Sequence, residues 1–342
     1  MTRSLCLGLG LASLLAASVA SAGAAPAYKV THTVALGAPD RWDYVVYDAP
    51  SHRVYVAHGD RVTVVDGQDG RLIGEVLGMP GGTHGIGVSV ATGEGFTDDG
   101  EKGEVVAFDL KTLKVTHRIK ADPDADGIAF EPKTGHVFVI EGDSANIAVI
   151  DPKTDSLITR IKGGGNLEYA VADASGNLFV NGAENKEVLK IDAASNAITA
   201  RFAIPECLSP HGLAIDVKAA RLFVSCVNTK LFVLDATSGR IVASLPIGKG
   251  TDAAAFDASH GLVLSSNGRD GNVTVIRQED AEHYSVAGAV PTGVSGRTMD
   301  VDPVTGRIFV VLADLDPPPA ATPNARPKAH PGSTRLLFLD PQ

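Results

Sequence analysis

Beyond its first twenty or so residues the chain has no long apolar run, and nowhere does it sustain a 3.6-residue apolar period. The first absence excludes a later helix that spans a bilayer, which needs about 20 apolar residues. The second argues against a helical architecture. Basic runs and aromatic-basic clusters are missing too. With a formal net charge of −10, the chain suits phosphate backbones poorly, because such binding rests on Lys and Arg neutralisation. No nucleic-acid partner is expected. The motifs G-x-S-x-G and H-E-x-x-H and the phosphate-binding loop are absent, so no familiar nucleophile or hydrolase signature is present. The lack of C-x-x-C-H disfavours an intrinsic haem, while quinone use stays open.

Cysteine is scarce, with three in 342 residues. Cys6 lies at the start of the apolar run from Leu5 to about Ala17, which follows Arg3 and precedes Ala20-Ser21-Ala22. This is the pattern of a secretory signal peptide cleaved near Ala22, and a lipid anchor on Cys6 is the competing reading. The mature chain, residues 23–342, is then periplasmic or secreted. Its remaining cysteines, Cys207 and Cys226, form an even pair that favours a disulfide in an oxidising compartment. Two buried free thiols are the alternative.

What the chain does have is a repeat. Segments ending in an acid recur as "TVVD", "VAFD", "AVID", "LKID" and "FVLD", closing at Asp66, Asp109, Asp151, Asp192 and Asp235. "TVIR" continues the series at Arg277 and "LFLD" ends it at Asp340. A second series precedes these: "RVYVAHG", "HVFVIEG", "NLFVNGA", "RLFVSCV" and "RIFVVLA". Seven units of about 42 residues, each with three or four short strands, predict an all-β, seven-bladed β-propeller. The recurrent Asp residues head turns such as "DPKTDS", where a carboxylate accepts backbone N–H groups. The last unit has three strands, and "YKVTHTVALG" is an orphan strand near the start. Pairing the two closes the ring, with residues 28–37 as the outer strand of blade 7. A Pro-rich insertion at residues 314–334 interrupts that blade and reads as a loop, with a lid over the mouth as the sharper alternative.

The units "GIAFEPKTGHVFVIEGDSANIAVIDPKTDSLITRIKGG" and "HGLAIDVKAARLFVSCVNTKLFVLDATSGRIVASLPIG" resemble the YVTN-repeat, or YncE-like, family of exported propellers. The resemblance implies fold and export, and implies chemistry poorly. The chain departs from the repeat at Gly95, where an aliphatic residue is usual, and at Arg277, where the acid is missing.

In a propeller the first strand of each blade lines the channel, and the loop entering it lies on one face. Five residues before the strand-end positions Asp48, Ser89, Glu131, Asp173, Asp216, Asp257 and Asp302 stand Asp43, His84, Asp126, Glu168, His211, Asp252 and Arg297. All seven are titratable or charged, so they form the candidate ligand-binding ring at the channel mouth. A watery channel accounts for polar residues there without any function. Convergent carboxylates should also raise one another's pKa values and draw a cation. His84, Asp126, Glu168 and His211 are the candidate donors for a divalent metal ion, although no close histidine pair fixes a geometry. Trp42 and Tyr169 stand beside ring positions and could stack a flat ligand or simply pack between blades.

Two functions follow. One is an exported binding or scaffold propeller, monomeric, with a small-molecule ligand or protein partner across the mouth. The other is a metal-assisted hydrolase or lyase, lactonase-like, with His84 or His211 as general base and Arg297 at a developing oxyanion.

Overall fold

The computed structural model describes residues 27–123, 125–317 and 327–342. The expected leader lies outside the described residues. Seven four-stranded antiparallel sheets follow one another along the chain, and the described residues include one helical element, a single 3-10 turn at Gly100–Lys102. The first strands are Val45–Asp48, Ile86–Ser89, Ala125–Glu131, Leu167–Ala172, Pro210–Asp216, Thr251–Asp257 and Thr298–Val301. Each packs against the first strand of the next blade, and the seventh packs against the first. The expected seven-bladed ring is present.

Closure follows the sequence reading. In blade 7, Thr298–Val301, Ile308–Leu312 and Arg335–Pro341 are completed by the N-terminal strand Tyr28–Ala35. The pairing runs antiparallel from Tyr28 opposite Pro341 to Ala35 opposite Arg335. Leu36 and Gly37 extend it by donating their N–H groups to the Thr334 carbonyl. The two chain ends therefore share one sheet, and neither leaves an inner edge open.

The blades stack through one repeated position. The third residue of the second-strand motif is Tyr55, Phe96, Phe138, Phe179, Phe223 or Phe309 in six blades and Leu264 in the other, and all are fully buried. Burying such a side chain contributes about 1.5–3 kcal/mol. The unusual Gly95 has a compensation: a Cβ there would lie 2.2 Å from the Phe108 ring. Phe108 stands where the other third strands carry Val or another aliphatic residue, and its ring fills the space Gly95 vacates.

Acids that end the third strands head turns, as expected. Asp109 Oδ1 accepts the N–H groups of Lys111 and Thr112, and Asp235 Oδ1 those of Thr237 and Ser238. Cys207 and Cys226 form a disulfide with a Cα–Cα distance of 5.4 Å, which closes a ring of about 20 residues, worth about 3 kcal/mol in the chain-entropy model.

Removing residues 28–35 should expose the Arg335–Pro341 edge and loosen the whole ring. We expect a melting midpoint lower by about 10 °C or more and light scattering from aggregates. An unchanged midpoint would show that blade 7 stands on three strands.

Candidate functional site

Four of the seven candidate ring residues are placed by β-bulges. In blades 3 to 6 the register of first and second strands shifts at Asp126, at Glu168–Tyr169, at His211–Gly212 and at Asp252–Ala253. The extra residue turns the strand and re-aims its side chain toward the axis. In blades 1, 2 and 7 the ring residue lies just ahead of a shorter first strand.

In blades 2, 5 and 6 a buried polar residue, fifth in the second strand, latches the strand entry, and in blade 4 the equivalent residue reaches the entry of blade 5. Asp98 Oδ1 accepts the N–H groups of His84 at 2.6 Å and Gly85 at 3.1 Å. Ser225 Oγ accepts from Gly212 N and Ser266 Oγ from Ala253 N. Asn181 Nδ2 reaches the next blade and donates to the carbonyls of His211 and Gly212. All four side chains are fully buried, where an unpaired backbone N–H would be costly. The sequence reading missed this set. Its signal was a polar residue interrupting an apolar strand, as in "LFVN", "LFVS" and "LVLSS".

The glycines of "THG" and "PHG" have a steric reason. A Cβ on Gly85 would lie 2.4 Å from the Asp126 carbonyl oxygen, and one on Gly212 would lie 2.4 Å from the Ala253 backbone. The next blade's first strand passes too close for any side chain.

Six of the seven ring residues, Asp43, Asp126, Glu168, His211, Asp252 and Arg297, line one polar cavity of about 210 Å³ with Tyr44, Tyr169 and Thr298. Arg297 bridges Asp252 at 2.9 Å and Asp43 at 3.4 Å. His211 Nδ1 lies 3.6 Å from Glu168 Oε1 and makes no hydrogen bond. Burial pushes the Asp43 carboxyl up to about 6; Arg297 opposes that rise and Asp252 adds to it.

His84 departs from the expected arrangement, because its ring does not line this cavity. Its Nδ1 meets Asp98 Oδ2 at 2.8 Å and its Nε2 meets an Arg41 guanidinium nitrogen at 2.9 Å. Burial opposes its protonation, yet the hydrogen bond and charge of Asp98 prevail and the pKa rises. The expected metal donors are not gathered: among the described residues, His84, Asp126, Glu168 and His211 do not bring three ligand atoms within 4.8 Å of one another. One such group does exist elsewhere, Glu94, His117 and Asp155.

Tyr44 and Tyr169 stack with centroids 4.3 Å apart and an interplanar angle of 25°, so the expected aromatic at the mouth is Tyr169 with Tyr44 as partner. Trp42 does not serve there, being packed with Val45, Phe309 and Phe338. The tyrosine pair borders both the polar mouth and a second cavity of about 270 Å³. That deeper chamber is walled by residues such as Val46, Ile128, Leu213, Ala255 and Met299, with Asp300 as its only charged lining residue. Asp300 accepts the N–H groups of Tyr47 and Val301, and burial raises its pKa to about 6. The insertion's described ends are tied to the segment that enters blade 1. Asp40, just ahead of blade 1, accepts the N–H groups of Gly332, Ser333 and Thr334, and Leu315–Asp316 pairs with Lys328–Ala329.

No protein-family model matches the chain, and no characterised protein matches it in sequence. Among solved structures the chain is similar to Kuenenia stuttgartiensis hydrazine synthase, with a TM-score of 0.67 over 85% of this chain and 96% of that one. At 14% identity the likeness shows the fold alone. No helix among the described residues is long and apolar enough to cross a membrane.

Asp43 and Asp300 hold protons in the folded chain that the unfolded chain releases between about pH 4 and pH 6. Their contribution to stability is full below about pH 4 and is lost as pH rises through about 6. Asp300→Asn should therefore raise the melting midpoint at pH 8 by about 2–4 °C and flatten its fall between pH 4 and 7. A lower midpoint at pH 8 would show that the ionised carboxylate stabilises the chamber.

Proposed function

We propose that this chain is an exported binding protein whose channel mouth captures a small cationic ligand. The observation that carries the reading is charge. Asp43, Asp126, Glu168 and Asp252 converge on one cavity whose single permanent cation, Arg297, is shared by two of them. The lining is net negative in either state of His211. Tyr44 and Tyr169 also line it, and an aromatic ring attracts an ammonium group desolvated against it. Ser266 latches the backbone beside Asp252, and Arg297 holds Asp43 and Asp252 by ion pairs, so little ordering of these two acids remains at binding.

Export draws support from the leader pattern, from the resemblance to YVTN-repeat propellers and from the disulfide, which persists in oxidising compartments. The hydrolase or lyase reading has less behind it. His84, one of its two candidate bases, has both ring nitrogens engaged.

Calorimetric titration with primary, secondary and quaternary ammonium compounds, beside neutral isosteres of each, tests the proposal. Ammonium compounds should bind at least tenfold more tightly, about 1.4 kcal/mol. The Asp126→Asn/Glu168→Gln double variant should lose that preference. Affinity should also fall as pH drops below about 6, where Asp43 takes up its proton. Equal binding of neutral isosteres, or a preference for anions, would refute it.

A further inference from the structure

On the face opposite the mouth, we infer that Glu94, His117 and Asp155 form a divalent-cation site of the zinc class, joining blade 2 to blade 3. Glu94 opens the second strand of blade 2, Glu94–Asp99, and His117 lies in that blade's outer strand, Val115–Lys120. Asp155 belongs to the turn between Asn146–Asp151 and Ser156–Lys162 of blade 3. Three segments from two blades thus meet at one point, and one ligand atom from each lies within 4.8 Å of the others.

Two features point to a cation. Asp155 Oδ2 is 2.9 Å from His117 Nδ1, while its Oδ1 is buried with no hydrogen-bond partner. A buried carboxylate oxygen left unpaired costs more than most native structures tolerate, and a cation satisfies it. Among the described residues, moreover, no lysine or arginine forms an ion pair with Glu94 or Asp155, which face each other with Asp109 nearby.

The donor set selects the ion. One imidazole with two carboxylates suits zinc and its neighbours, whereas calcium and magnesium prefer oxygen alone. Donors around zinc lie about 2.0–2.2 Å from the ion, so the three atoms need to draw together, with the exposed His117 ring the freest to rotate. Three protein ligands leave a fourth position open to water.

The test is calorimetric titration of the chelator-treated full chain with zinc alone at pH 7.5, with visible spectra of the cobalt-loaded protein as a second readout. We expect one zinc per chain with a dissociation constant of about 10 µM or tighter, near 7 kcal/mol, and a higher melting midpoint by mass action. Glu94→Gln and His117→Ala should each weaken binding at least tenfold while the metal-free melt is unchanged. Glu168→Gln, in the mouth, should leave it intact, so this site stands or falls apart from the cationic-ligand reading. No saturable binding below about 100 µM zinc, or binding that survives both Glu94→Gln and His117→Ala, would overturn the inference. So would loss of zinc in Glu168→Gln alone.

Discussion

The antiparallel seam between residues 28–35 and 335–341 is the contact on which the molecule depends. A propeller's first strands touch only their neighbours, so the circle has no centre of its own to hold it. Closing it with one strand from each end of the chain makes every inter-blade contact part of a single loop. The geometry of the mouth inherits that closure. Arg297 in blade 7 reaches Asp43 in blade 1 across it, and Thr298 donates to the Asp43 carbonyl at 2.6 Å. A ring left open there would separate the one cation of the mouth from one of the acids it neutralises.

Each level of the structure adds a constraint to the next. Aromatic residues at one repeated position, with Leu264 in blade 6, stack the blades, while polar residues two places further along the second strands hold the entries of blades 2, 5 and 6. Asp98, Ser225 and Ser266 therefore act on the backbone, not on a ligand, and leave Asp126, Glu168, His211 and Asp252 to face the axis. His84 shows what happens where the latch is itself a carboxylate. Asp98 captures the imidazole as well as the backbone and turns it from the cavity. The tyrosine pair lies between a polar, anionic vestibule and an apolar chamber with one carboxyl group.

Much of this was legible in the sequence. The repeat spacing gives the number of blades, the orphan strand gives the closure, and stepping back five residues from each strand end finds the ring. The turn acids and the cysteine pair follow from turn chemistry and redox compartment. The register shifts were not legible, because bulges depend on what the partner strand offers and not on local propensity. The fate of Trp42 was hidden for a similar reason: a large ring beside a channel residue packs wherever the next blade leaves space.

Sequence by itself determined a closed, sevenfold, acidic propeller, because periodic hydrophobicity and turn residues act locally and repeat along the chain. Tertiary structure alone decided which charges meet. It left His84 out of the cavity, set Tyr44 against Tyr169, and brought Glu94, His117 and Asp155 together across a blade boundary. The reason is physical. Electrostatic and coordination contacts depend on distances of a few ångströms between residues tens of positions apart, and those distances exist only once the blades have packed.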